Sequence, residues 1–135
     1  MVALPDFEHS RENRELLAAN LAGFAVKRQQ RGDLKHAAVV LAVTRYENQA
    51  AIIITRRTHT LRAHTGQWAL PGGRIDPGET ATEAALREMS EEINLSLDDS
   101  FILGTLDDYI TRSGYLITPV VVWNDTPWKG LQPNP

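Results

Sequence analysis

The 135-residue chain has no cysteine, which excludes a disulfide framework, a thiolate nucleophile and a thiolate metal site. It has no excess of positive charge either. Lys and Arg number 14 against 17 Asp and Glu, so the basic face of a nucleic-acid binder is not expected. No apolar run approaches the roughly 20 residues of a membrane span. The N-terminal MVALPDFEHSRENRE lacks a basic stretch followed by an apolar core, so it does not read as a secretory signal. These absences predict a cytoplasmic protein with neither a nucleic-acid nor a membrane partner. Hydrophobic residues make up 42% of the chain, enough for a core that needs no covalent staples.

Periodicity supplies the elements. Leu16, Leu17, Leu21 and Phe24 recur at one-turn spacing and predict a helix over 10–29, with Ser10 as N-cap and Gly32 as the stop. That apolar face can serve an intramolecular core or a homodimer contact, and the pattern does not choose between them. Residues 37–44 and 51–55 are β-rich apolar runs flanking the turn residues Glu47 and Asn48, the pattern of a hairpin. A short extended piece at 68–70 ends in Pro71-Gly72-Gly73. A second helix over 80–93 is followed by strands over 101–107 and 115–123. The order predicts a mixed α/β fold, divided into a helical segment (1–35) packed on a main domain (36–135).

The informative stretch is GRIDPGETATEAALREMSEEINL, residues 73–95. Thr80 and Glu83 have the spacing of a capping box, which starts the second helix just after an Asp76-Pro77-Gly78-Glu79 turn. Glu88, Glu91 and Glu92 stand at i, i+3 and i+4 and share one face. Two carboxylates about 6 Å apart repel by roughly 3 kcal/mol at an effective dielectric near 20. They also lie in the last turns of the helix, where the macrodipole disfavours anions. A cation relieves both costs, and clustered oxygen donors without Cys suit Mg²⁺ or Mn²⁺ rather than zinc. Ala81 and Ala84 fall on the carboxylate side and are expected to leave room for a ligand. Leu86, Met89 and Ile93 fall on another side and are expected to anchor the helix in the core. A Glu-rich helix face is by itself more often just solvated, so the neighbouring residues decide.

Those neighbours complete a signature. Gly73, Glu79 and the run Arg87-Glu88-Met89-Ser90-Glu91-Glu92-Ile93-Asn94-Leu95 resemble the Nudix box, G-x5-E-x7-R-E-U-x-E-E-x-G-U with U aliphatic. Its eight matching positions would coincide by chance with a probability on the order of 10⁻⁸ per window. Asn94 stands where the box has its last Gly; Asn is the next residue best suited to a left-handed helix end. The resemblance implies an α/β/α sandwich with a loop-helix-loop metal site and hydrolysis of a diphosphate linked to another moiety. It implies Glu88, Glu91 and Glu92 as catalytic metal ligands, joined by the Gly72 carbonyl. Gly73, Glu79 and Arg87 are implied as structural support of the box. The general base stays open between Glu91 and Glu92.

A longer pattern precedes the box. Thr55, Arg57, Arg62, His64, Gly66, Gln67, Pro71, Gly72 and Gly73 resemble the segment that marks the coenzyme A diphosphatase branch, L-L-T-K-R-S-x-x-x-R-x-H-x-G-Q-V-x-F-P-G-G. Arg56 and Thr58 are mild changes from it, while Trp68 and Leu70 depart from it. Leu106-Asp107-Asp108 and Thr118-Pro119-Val120 also look like this branch. The resemblance implies coenzyme A or an acyl derivative as the small-molecule substrate, with Arg57, Arg62, His64 and Gln67 as substrate-binding candidates. Arg57 and Arg62 can give bidentate contacts to phosphate oxygens. The alternatives are a Nudix hydrolase of ADP-ribose or of nucleoside di- or triphosphate derivatives, and a non-hydrolysing ligand-binding module. Members of the branch continue past the Pro-rich end seen here into a final helix, so a C-terminal truncation is expected.

Overall fold

In the computed structural model the described residues are 2–23, 25–26, 33–56 and 68–125. Two long strands form the spine: β2 (Lys35–Tyr46) and β9 (Tyr115–Trp123) pair in parallel from Lys35↔Tyr115 to Val43↔Trp123. Each is longer than its neighbours, so the sheet forks. The last residues of β2 pair with β3 (Gln49–Ile52), while Ala37, Ala38 and Val39 pair with β6 (Gly72–Arg74). On the other flank, β9 pairs with β7 (Ile102–Thr105) near Val120 to Val122 and with β8 (Tyr109–Ile110) at Leu116 and Ile117. The edge beyond β3 is closed by β1 (Val2–Glu8). A separate two-stranded ladder joins β4 (Thr55–Arg56) to β5 (Trp68–Ala69).

Pro119 lies inside β9, a place where a missing N–H would normally break a ladder. It is tolerated because it falls between the stretch of β9 that faces β8 and the stretch that faces β7. Its carbonyl still accepts from Leu106 N at 3.0 Å.

Alternation along the spine sends two apolar sets to opposite faces. Ala38, Val40, Ala42, Val120 and Val122 meet α2 (Ala81–Ile93), which contributes Ala84, Ala85, Met89 and Ile93. On the other face Val43, Ala50 and Trp123 are covered by Leu4, Phe7 and Leu103, and by Leu17 of α1 (Arg11–Ala22). Gly104 of β7 has no side chain to hold off Leu21 of α1. Helices on both faces of a mixed sheet make the α/β/α arrangement that was expected.

Several expectations need correction. The first helix keeps Ser10 as N-cap but ends at Ala22 with Gly23 as its cap, short of position 29. Leu16 is 56% exposed and joins neither core cluster among the described residues, whereas Leu17 packs against one. Phe24 and Gly32 lie outside the described residues. Strand β3 covers Gln49–Ile52 rather than 51–55, since Thr55 turns away to pair with Ala69. Residues 1–35 are not simply helical, because β1 adds an edge strand carrying Pro5. An edge is where a proline costs least. Ala84 is fully buried against the sheet and leaves no room for a ligand.

The N-terminal segment is fastened by His9. Its ring is 5% exposed and stacks on Trp123 with centroids 4.6 Å apart. Nε2 donates to the Asn124 carbonyl at 2.8 Å, and Nδ1 accepts from Arg45 Nε at 3.4 Å. Burial pushes the His9 pKa below its ordinary value of 6.5, and the nearby Arg45 charge acts the same way. The Asn124 carbonyl and Asp125 oppose this without reversing it. The unfolded chain therefore binds a proton that the native ring resists. This contribution is complete above about pH 6.5 and is lost as the pH falls. Thermal unfolding from about pH 7.5 to about pH 5 should lower Tm more in the wild type than in His9→Gln. Parallel Tm curves would show that His9 titrates alike in both states.

Candidate active site

The box helix starts as its sequence demands. Thr80 Oγ1 accepts from Glu83 N at 3.2 Å, and Glu83 Oε1 accepts from Thr80 N at 2.9 Å. The preceding turn is closed by Glu79 N donating to the Asp76 carbonyl and by Asp76 N donating to Glu79 Oε1. At the other end Asn94 adopts φ 58°, the left-handed conformation expected of the residue standing in for Gly. Met89 and Ile93 anchor the helix from below, with Leu86 partly buried beside them. The opposite face is thereby held toward β6.

Two glycines let that face come close. A Cβ on Gly72 would collide with the Ala38 carbonyl oxygen and lie 2.9 Å from Val39 Cα, both backbone atoms of β2. A Cβ on Gly73 would lie 2.5 Å from Glu88 Oε1. Glu92 Oε2 accepts from Gly72 N at 3.2 Å. Glu88 and Glu92, one turn apart, thus meet consecutive residues of the same strand.

Arg87 ties the box together. It grips Glu79 with two bonds, Nε to Oε2 at 2.8 Å and an Nη2 bond to Oε1 at 3.0 Å. Nη1 donates to Glu88 Oε1 at 2.9 Å and to Glu91 Oε2 at 3.2 Å, and Nη2 also reaches the Arg74 carbonyl at 3.0 Å. Asp76 stands at 3.5 Å. Hydrogen bonds from Arg87 hold the Glu79 carboxyl below the usual carboxylate range. Burial pushes Glu88 up despite its bond to Arg87, and the neighbouring Glu91 charge adds to the push. The guanidinium itself is held more firmly protonated by these carboxylates.

One guanidinium facing Asp76, Glu79, Glu88 and Glu91 leaves the cluster anionic. Among the described residues no three acidic or imidazole side chains already converge on a single metal position. Arg87 explains this, because it draws Glu88 and Glu91 to itself while Glu92 turns to Gly72. The donor set still fits a hard divalent cation: carboxylate oxygens around a glycine backbone, with net negative charge to neutralise. Arg57, Arg62, His64 and Gln67 lie outside the described residues.

Sequence reasoning did not single out the buried pair beside the box. Asp108 is 8% exposed and accepts from Thr118 Oγ1 at 2.7 Å. Both line a cavity of about 470 Å³ with His36, Ile75, Glu79, Ala81 and Leu116. The available signal was the Leu106-Asp107-Asp108 and Thr118-Pro119-Val120 resemblance, which carried no role.

The glycines make separable predictions. Gly72→Ala must move backbone and should cost about 3 kcal/mol of stability. Gly73→Ala meets only the end of a flexible glutamate, so Tm should shift little while Glu88 is displaced. Denaturation midpoints for the two variants check this, and equal destabilisation would contradict the packing described.

The chain matches the NUDIX domain over residues 34–131. It is 39% identical over 84 residues to Nudix hydrolase 3 of Caenorhabditis elegans, covering 62% of this chain and 35% of that protein. It is 42% identical over 88 residues to an uncharacterised Nudix hydrolase NudL of Photorhabdus laumondii, covering 64% and 46%. A NudL of Escherichia coli O6:H1 is 38% identical over 119 residues, covering 83% and 62%. The chain thus spans between about a third and just over three-fifths of the length of these relatives. Among solved structures, a MutT/nudix family protein from Enterococcus faecalis superposes with TM-score 0.64 at 16% identity, covering 89% of this chain and 46% of that one. An Ap4A hydrolase of C. elegans gives TM-score 0.57 at 19% identity, covering 73% and 71%. At these identities the structures speak to the fold alone. With the matched domain covering most of the chain and the box helix folded on its glycine strand, the protein belongs to the Nudix family.

Proposed function

We propose that the chain hydrolyses the diphosphate bond of coenzyme A or an acyl derivative, giving 3′,5′-ADP and 4′-phosphopantetheine or its acyl form. The reaction class is supported by Glu88 and Glu92 meeting the backbone at Gly72 and Gly73, in a cluster whose net charge Arg87 does not cancel. The substrate is supported by one observation, the run of matching residues from Thr55 to Gly73.

Diphosphate cleavage demands neutralised phosphoryl oxygens and an oriented water more than a protein nucleophile. Glu88, Glu91, Glu92 and the Gly72 carbonyl would hold Mg²⁺ or Mn²⁺, which when bound polarises the phosphoryl group and acidifies a coordinated water. Arg87 and Glu79 fix the start of the helix relative to the loop, so the carboxylates keep their register. Glu91 or Glu92 would accept the proton of the attacking water. The Arg57 and Arg62 side chains would bind phosphate oxygens, and His64 and Gln67 would hydrogen-bond phosphate or water.

Incubation with Mg²⁺ or Mn²⁺ and separate supplies of coenzyme A and ADP-ribose tests the substrate. Release of 3′,5′-ADP from coenzyme A is expected, whereas rapid AMP release from ADP-ribose alone would overturn the assignment. Glu92→Gln should lower turnover by roughly 10²- to 10³-fold, the equivalent of several kcal/mol of lost charge stabilisation, while ligand still binds. Unchanged turnover would mean that the metal site is misassigned.

A further inference from the structure

The cavity beside the box has a chemistry distinct from that of the metal face. Its walls are the first turn of α2 at Ala81, the box loop at Ile75 and Glu79, and the forked end of the spine at His36, Leu116 and Thr118. Asp108 supplies a buried carboxylate, fixed at one oxygen by the Thr118 hydroxyl. The volume of about 470 Å³ lies in the range of small-molecule sites, roughly 300–1,000 Å³. Two turns along α2, about 10 Å of rise, separate Ala81 from Glu88.

Charge decides what can enter. Two carboxylates line this cavity: Glu79, which Arg87 holds, and Asp108, which accepts from the Thr118 hydroxyl. A phosphate group about 5 Å from Asp108 would be repelled, whereas the Glu79 charge is met by Arg87. A neutral N–H or O–H donor to a buried carboxylate instead gains a charge-assisted hydrogen bond. Ile75, Ala81 and Leu116 offer apolar contact between these polar points. The cavity therefore selects a chain that is uncharged, rich in amide and hydroxyl donors, and partly aliphatic.

We propose, on the reading that the substrate is coenzyme A or a derivative, that this cavity seats the neutral pantetheine arm. Asp108 accepts hydrogen bonds from the arm, and Thr118 positions the Asp108 carboxylate. The diphosphate then spans the carboxylate face of α2, and the phosphorylated adenosine half is directed away from the cavity. Asp108 is thus a specificity residue that recognises one end of an asymmetric substrate.

Three substrates separate this role from a structural one: coenzyme A, dephospho-coenzyme A with the same arm but no 3′-phosphate, and diadenosine diphosphate with no arm. With the full chain and Mg²⁺, Asp108→Asn should raise KM for both arm-bearing substrates about tenfold relative to diadenosine diphosphate, and lower kcat far less. Thr118→Val should act in the same direction, and Thr118→Ser, which keeps the hydroxyl, should restore the wild-type ratio. Equal changes on all three substrates, or no change in KM for the arm-bearing pair, would overturn the proposal. If wild-type protein cleaves diadenosine diphosphate or ADP-ribose but neither coenzyme, the substrate reading itself falls and takes the proposal with it.

Discussion

Two consecutive residues without a Cβ set the architecture of the site. Gly72 and Gly73 lie between a strand that pairs with them and a helix that presses on them. Any side chain at Gly72 would drive β6 off Ala38 and Val39, and any at Gly73 would push the Glu88 carboxylate aside. Because both approaches are allowed, α2 can bury its apolar side on β2 and still bring its acidic side to the backbone of β6. The box is therefore a packing arrangement before it is a chemical one.

The energetic question is how a helix tolerates carboxylates in its final turns. Each close pair costs roughly 3 kcal/mol, and the helix end adds to that. Fully burying a Met or Ile side chain gains about 1.5–3 kcal/mol, so Met89, Ile93 and the half-buried Leu86 are of the right size to offset one or two such pairs. Arg87 supplies the remainder by bonding Glu79, Glu88 and Glu91 with a single guanidinium. It cannot neutralise them all, so the face keeps a net negative charge.

The box helix was legible in the sequence because every determinant is local. The Thr80 and Glu83 box, the i, i+3, i+4 spacing and the left-handed Asn94 each depend on residues within a turn or two. Strand β9 was equally plain, as a mostly apolar run buried along nearly its whole length despite Thr118 and Pro119. The first strand was not, since Pro5 and Asp6 break its pattern and its pairing with β3 shifts register. The end of the first helix was misread because Phe24 prolongs the apolar spacing past Gly23, the residue that caps it. Ala84 shows the limit of a helical wheel: it gives angle but not depth, and a small residue beside a carboxylate stripe can equally be the point of closest contact with the sheet. The burial of Asp108 was out of reach for a related reason, because it depends on a strand switch 11 residues further on.

That switch links the proline in the spine to the cavity. In β9 the outer neighbour changes from β8 to β7 at Pro119, which has no N–H to offer either strand. The ladder loses one bond there, although the Pro119 carbonyl still accepts from Leu106, and Asp107 and Asp108 lie in the connection from β7 to β8. Thr118, immediately before the proline, ties this connection to β9 by donating from its hydroxyl to Asp108. An uninterrupted β7–β8 strand would run past this point without such a recess, with no carboxylate drawn under the first turn of α2. The fork thus does for the cavity what the paired glycines do for the box face: it withholds structure at the point of closest approach, and leaves space there.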